Sequence, residues 1–461
     1  MALKAALLSL GCKVNSYETE KIREDMILAG FEIVDFTEKA DVYIVNTCSV
    51  TNIADRKSRQ MLHKAKSINP KALVVATGCY VQTAEKDERL NDAADIIIGN
   101  NHKGSIAETI MAHISSAADD INLLDDIAKE CEVENFSIND YSERSRAFVR
   151  IEDGCNQFCS YCIIPYARGR VRSRSEEDII SEVKVLAEKG FKEIVITGIH
   201  ISSYGMKNYE SGLKNEEWDS KPLLKLVQEL DKIKGIERIR LGSLEPRIIS
   251  REFAVGLKEI KSFCPHFHLS LQSGCDSVLK RMNRHYTAED FLERCRILRE
   301  VFDDPAITTD VIVGFPSETE EEFKESADML KQAAFSKMHI FKYSRRKGTV
   351  ADRMPGQLTE KVKHERSLVL QELDNKMHFD YASHFKGKTV KVLIEEEDGD
   401  EMSGLTERYM NVKISKNTGV FRFPDVPNDM NTELSADNSY INHIAEVKIT
   451  DVSEDGILIS K

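Results

Sequence analysis

Three cysteines lie on one short stretch between Gly154 and Cys162: Cys155, Cys159 and Cys162, spaced C-x3-C-x2-C. A thiolate is a soft anionic ligand, and three on one loop can converge on a single metal centre. No fourth Cys or His stands nearby to close a tetrahedron, whereas a structural zinc site takes four protein ligands. A four-iron cluster held by only three cysteines keeps one iron open to a substrate or cofactor. The stretch therefore reads as a reactive centre, with a zinc loop as the alternative.

A second set is scattered. Cys12, Cys48 and Cys79 each follow a short apolar run, at residues 5–10, 42–46 and 73–77. Helical patterns at 16–29 and 53–66 alternate with these runs, and 96–98 adds another strand. Such alternation implies a parallel, doubly wound α/β sheet. Ligands bind such a sheet beyond the carboxyl ends of its strands. Cys12, Cys48 and Cys79, distant in sequence, are therefore expected to meet at one edge. The alternative is three buried core cysteines. Gly11 and Gly78, each directly before a cysteine, favour turns over core strand. No G-x-G-x-x-G follows the first run, so a dinucleotide site is not indicated. The helix after Cys48 carries Arg56, Lys57, Arg59, Lys64 and Lys66. A solvated face is the expectation there, and a phosphate-contacting face the alternative.

The elements around the first set have a different rhythm. Strand-like runs at 148–152, 193–197, 238–241, 266–271, 308–313 and 338–341 are separated by helical patterns. Ile179, Val183 and Leu186 share one helical face. Thr319 and Glu322 form a capping-box signature ahead of Phe323, Ala327 and Leu330. Six such units suggest a partial (β/α)6 barrel, in which chemistry sits at the C-terminal strand ends. The cysteine loop directly follows the first strand. Gly198 and His200, Ser243 and Glu245, Gln272 and Ser273, and Gly314 and Phe315 follow four of the others and become candidate site walls. His200 reads as a pocket or capping histidine. Cys131, Cys264, Cys275 and Cys295 have no ligand spacing.

At 461 residues the chain suits about three domains, taking ~150 residues for each. A hydrophobic fraction of 41% supports packed cores. The net charge of −13 argues against a generally basic nucleic-acid coat. Two local basic runs, Arg168 to Arg174 and Lys342 to Lys347, are expected to form a nucleic-acid contact surface, with internal salt bridges as the alternative. The chain runs from Met1 straight into a strand-like segment without a signal-peptide pattern. No run of ~18 apolar residues marks a membrane span. Ten cysteines in so long a chain fit a reducing compartment. A cytoplasmic protein, monomeric and free of the membrane, is expected. Residues 113–147 are polar and acidic and read as a connector. A helix at 357–385 leads to short strands at 387–395, 411–415, 444–450 and 457–460, which suggest a small β-barrel. Six of the seven residues from Glu395 to Glu401 are acidic. That stretch is expected to face away from any nucleic acid or to lie in a mobile turn.

With both cysteine sets on the page, the whole chain resembles the radical S-adenosylmethionine (SAM) methylthiotransferases. The resemblance implies a methylthiotransferase N-terminal domain (1–118), a radical SAM core (142–375) and a TRAM-type RNA-binding β-barrel (376–461). The cysteine spacing and Tyr161 fit the radical SAM signature. Gly11-Cys12-Lys13-Val14-Asn15 and the stretch from Gly198 to Gly205 are similar to the branch that acts on N6-threonylcarbamoyladenosine beside the tRNA anticodon. Sister branches act on isopentenyladenosine or on a ribosomal-protein aspartate, and both stay open as alternatives. The resemblance implies two [4Fe-4S] clusters, one on Cys155, Cys159 and Cys162 and one on Cys12, Cys48 and Cys79. It implies SAM contacts from Tyr161, Gly198, Ser243, Glu245, Gln272, Ser273, Gly314 and Phe315. It further implies that one electron from the first cluster cleaves SAM to a 5′-deoxyadenosyl radical that takes hydrogen from C2 of adenine, and that the second site presents the methylated sulfur. Implied partners are the tRNA anticodon loop and a reductant such as flavodoxin or ferredoxin. A ferredoxin-like electron carrier is the non-enzyme alternative.

Overall fold

The structure is a computed structural model that describes residues 2–84, 90, 92–116, 121–134, 136–139, 141, 145–206, 219–424 and 440–461. The N-terminal unit is a six-stranded, all-parallel sheet in the order β2-β1-β3-β4-β5-β6. Its strands are β1 (Lys4–Ser9), β2 (Glu32–Val34), β3 (Val42–Thr47), β4 (Leu73–Gly78), β5 (Ile96–Ile98) and β6 (Ile121–Leu123). β3 is buried along its whole length, as expected of a parallel strand covered on both faces. Helix α1 (Lys13–Leu28) seals one face with Ile22 and Met26, and α2 (Asn52–Ile68) seals the other with Leu62 and Ala65. The chain order reverses between β1 and β3, the switch point where open α/β sheets place ligands. β2 and β6 are too short to announce themselves in the sequence.

The segment expected to be a mere connector is more integrated than that. It supplies β6, and Phe136, Ile138 and Tyr141 pack in the core of the second unit. Asp119 and Asp120 lie outside the described residues. Apolar side chains every few positions make such a segment dock, even in acidic surroundings.

The second unit is an open barrel of six parallel strands: Arg146–Arg150, Glu193–Thr197, Arg238–Leu241, His266–Leu269, Ala306–Val313 and Lys337–Lys342. Ile179, Val183 and Leu186 are fully buried against it, each worth about 1.5–3 kcal/mol in transfer terms. The Thr319–Glu322 capping box forms as the sequence predicts.

Helix Glu360–Ser383 leads to a seven-stranded curled sheet around Val392, Ile394, Val412, Ala445 and Val447. A register shift between Ile394 and Glu396 bends the strand Thr389–Asp398, the usual effect of a bulge. The acidic stretch closes a hairpin with Glu401–Thr406 and is partly internal. Glu395 pairs with Arg146 of the barrel, and Glu397 with Lys416 at 2.9 Å. It is therefore not simply an outward or mobile turn. No helix among the described residues is long and apolar enough to cross a membrane.

Candidate active site: two cysteine sets and a barrel cavity

Cys12 caps α1 directly after β1, Cys48 follows β3, and Cys79 opens a short helix α3 (Cys79–Thr83) after β4. β3 lies between β1 and β4 in the sheet, so the three cysteines leave adjacent strand ends. Gly11, at φ +102°, makes this convergence possible: a Cβ there would lie 2.7 Å from Cys48 Sγ. Gly78, at φ +99°, would place a Cβ 2.4 Å from Thr47 O. Asn15 ties the edge together by donating to Leu10 O at 2.7 Å and Thr47 O at 2.9 Å. Burial, and then Cys79 and Cys12, push the Cys48 thiol up to about 11.

The loop from Gly154 to Cys162 brings the other three cysteines together at the end of the first barrel strand. Burial first, then Cys159 and Cys162, push the Cys155 thiol well up. Burial and Cys159 push Cys162 up to about 12, and Cys79 of the other set adds to it. Short helix Ile164–Arg168, which follows the loop, packs on α3. Asn100 spans the join, donating to Cys79 Sγ at 3.8 Å and to Ala167 O at 2.7 Å.

Each set has its own arginine. Arg168 Nε donates to Cys79 Sγ at 3.3 Å, while its Nη2 donates to Asn15 Oδ1 at 2.6 Å and Nη1 to Asp153 Oδ2 at 3.2 Å. Glu18 completes the network, held by Arg168, Lys103 and Arg150. Burial opposes its charge, but these cations hold its carboxyl far below the usual range. Arg284 Nη1 donates to Cys159 Sγ at 3.2 Å, and its Nη2 to Glu245 Oε2 at 2.8 Å.

These contacts correct the reading of the basic runs. Arg168, Arg172 and Arg174 are buried, and Arg174 pairs with Glu182 at 2.6 Å. Arg346 of the second run reaches the loop after Cys48, contacting Asp55 at 2.8 Å and Ser49 Oγ at 2.7 Å. Arg170, Lys342, Arg345 and Lys347 stay exposed. A buried arginine needs a carboxylate partner, and the abundant carboxylates provide one. On α2, Arg56, Lys57 and Lys64 form the exposed face expected of a solvated helix, and Lys66 pairs with Asp95 at 2.5 Å.

One cavity of about 770 Å³ opens on the strand-end set at Cys12, lined by Gly11, Cys12, Lys13, Gly198, Ser243 and His268 among others. It runs from the carboxyl ends of the barrel strands down the barrel interior to Arg408 and Tyr409 of the C-terminal sheet. Gly198 and Ser243 therefore share a cavity with Cys12. Glu245 is buried behind them, where Arg284 and Arg247 outweigh desolvation and hold it below the usual carboxylate range. Gln272 sits at φ +72°, and Ser273 is buried with its hydroxyl accepting from Cys275 N. Phe315 is fully buried against Tyr343, with Tyr161 packed on the same cluster. Gly314 donates its N–H to Glu318 at 2.7 Å. His200 donates its backbone N–H to Glu152 and bonds Ser203 Oγ at 2.7 Å, as befits a pocket histidine. Burial lowers it to about 4.

Sequence reasoning missed Arg284, and also His268, Asp310 and His339, whose polar tips gather inside the barrel. The alternation His266-x-His268 in a strand was the available signal for the latter. Arg284 carried none.

The fold and the cysteine geometry define an enzyme class, and comparison agrees. The Radical SAM superfamily matches residues 149–330, and the Uncharacterized protein family UPF0004 matches 4–99. The solved structure of the radical SAM methyltransferase TsrM from Kitasatospora setae shares the fold, with TM-score 0.55 and 15% identity over 86% of this chain and 79% of that one. The chain is 41% identical to the threonylcarbamoyladenosine tRNA methylthiotransferase MtaB of Aquifex aeolicus, over 89% of this chain and 96% of that protein. It is 40% identical to the MtaB of Bacillus subtilis, over 88% and 89%. A tRNA-2-methylthio-N(6)-dimethylallyladenosine synthase of Thermoanaerobacter sp. is 35% identical over 96% and 89%. The chain belongs to the radical SAM tRNA methylthiotransferase family.

Proposed function

We propose that this protein converts N6-threonylcarbamoyladenosine in the tRNA anticodon loop to its 2-methylthio derivative. The observation that carries the reading is one cavity onto which Cys12 and the SAM-side residues Gly198 and Ser243 both open. The higher identity to the two MtaB proteins favours this substrate over isopentenyladenosine.

Cys155, Cys159 and Cys162 would hold one [4Fe-4S] cluster, and Cys12, Cys48 and Cys79 the other. The donor sets fit: each is three soft thiols brought together, with an arginine N–H already on one sulfur. When bound, the clusters and SAM supply the radical and the methylthio sulfur. The protein's own share is positional. Arg168 and Arg284 stabilise negative charge on the sulfurs. Glu245 fixes Arg284, and Gly198, with no side chain, lets a ligand approach the strand end. Ser243 and Gln272 offer polar groups to SAM, backed by Tyr161, Ser273, Gly314 and Phe315. Hydrogen bonds around the cysteines keep both sets aligned, and alignment is where such enzymes gain rate. The chemistry calls for an external one-electron donor of the flavodoxin or ferredoxin kind.

The test is anaerobically reconstituted protein with SAM, reductant and tRNA bearing threonylcarbamoyladenosine, read by nucleoside mass spectrometry. The methylthio nucleoside and 5′-deoxyadenosine are expected together. Unchanged threonylcarbamoyladenosine, with methylthio product formed instead in a parallel reaction on tRNA bearing isopentenyladenosine, would overturn the assignment.

A further inference from the structure

The cavity extends from Cys12 into the barrel interior, and the deeper part has a distinct character. Lys13, next to Cys12, lines it with its Nζ 6.0 Å from the Phe148 ring centroid and 5.6 Å from that of Tyr409. Among the described residues no carboxylate forms an ion pair with this ammonium.

The other cations of the cavity are already engaged. Lys337 pairs with Asp374 at 2.7 Å. Arg408 donates to the carbonyl oxygens of Asp303 and Asp304 at 2.8 and 2.7 Å. The carboxylate that does favour a charged Lys13, Glu193, is already claimed by arginines. Arg146 and Arg240 also lie over the Tyr409 ring, at 5.3 and 4.7 Å. Together with Arg238 they share Glu193, and Arg146 also holds Glu395. Four cations thus face two carboxylates. An ammonium removed from water without an anion is costly, so the region is built for an anionic ligand.

The wall beside it is suited to a polar ligand. His268 Nδ1 bonds Thr308 Oγ1 at 2.9 Å while Nε2 faces Asp310 at 3.3 Å, and the His339 ring lies tilted 5.7 Å from that of His268. This set offers both donors and acceptors, matching an amide and a hydroxyl better than a hydrocarbon chain.

We infer that Lys13 is the counter-ion of a carboxylate carried on the N6 substituent of the substrate base, and so selects an amino-acid-bearing adenosine over one with an apolar substituent. The inference rests on the functional reading above and adds the residue that makes the choice. An isopentenyl group would leave the ammonium unpaired, and a site that loses its polar partner discriminates strongly.

The test uses the reconstituted full chain and three synthetic anticodon stem-loops. One carries threonylcarbamoyladenosine, one its neutral carboxamide, and one isopentenyladenosine. Wild-type protein is expected to bind the carboxylate RNA at least about tenfold tighter than the carboxamide. Lys13→Met should bind the two equally, and Lys13→Arg should restore the preference. Iron per chain, measured alongside, shows whether the adjacent cysteine site is intact. A Lys13→Met protein that keeps the wild-type preference overturns the inference. So does a wild type that methylthiolates the RNA yet does not distinguish carboxylate from carboxamide, a comparison that needs no variant. A wild type that gives no methylthio product overturns the functional reading instead.

Discussion

Cys155, Cys159 and Cys162 are delivered by one loop, whereas Cys12, Cys48 and Cys79 are delivered by the register of a sheet. The loop set is held by its local turn, by Ser160 and Asn283 bonding to the segments beside it, and by Arg284. The strand-end set needs β1, β3 and β4 in order, Gly11 beside Cys48, and a buried network from Asn15 and Glu18 through Arg168 to Asp153. That network also crosses from the N-terminal sheet to the barrel. Tyr17 reinforces the join by donating to Glu182 at 3.0 Å. The strand-end site is thus built into the docking interface, and the loop site adjoins it through the helix Ile164–Arg168. A pair of sites that must face each other gains from having one of them fixed by the interface itself.

Removing Arg168 should break this comparison most sharply. Arg168→Met leaves Glu18 and Asp153 partly uncompensated in the interior, a change worth about 3–5 kcal/mol. Denaturant unfolding should show that loss, and the strand-end site should lose its iron before the loop site does. Gly11→Ala is a smaller and more local break. A Cβ against Cys48 Sγ at a positive φ should cost about 1–3 kcal/mol and lower reconstituted iron without loss of loop-site absorbance.

The loop site is sharpened by pH. Burial lowers His200 to about 4, so the folded protein binds fewer protons there than the unfolded chain below the ordinary histidine range. Stability is then complete above about pH 6.5 and falls as pH drops toward 4, by about 2 kcal/mol between pH 6.5 and 5. His200→Asn should flatten that slope in denaturant titrations. An unchanged slope would assign the dependence elsewhere.

The loop site was legible because its ligands are contiguous: three cysteines within eight residues name a site whatever surrounds them. The strand-end cysteines were legible only through topology, since apolar runs before each one placed them at parallel strand ends. What the sequence hid has a common cause. Arg168, Arg172 and Arg174 looked like a phosphate-binding run because their carboxylate partners, Glu18, Asp153 and Glu182, are distant in sequence. Glu395 looked like a solvent-facing acid because Arg146 is 249 positions away. The strand Glu401–Thr406 was missed because its alternation is weak beside so many acids. Long-range charge pairing leaves no periodic trace, whereas hydrophobic burial does.

The central claim is that the two cysteine sets do separate work in one reaction. The most direct measurement compares reconstituted Cys12→Ala and Cys159→Ala proteins, quantifying 5′-deoxyadenosine and methylthio nucleoside from the same reaction. Cys12→Ala is expected to keep forming 5′-deoxyadenosine while making no methylthio nucleoside, and Cys159→Ala to lose both. Equal loss of both products in Cys12→Ala would contradict the account.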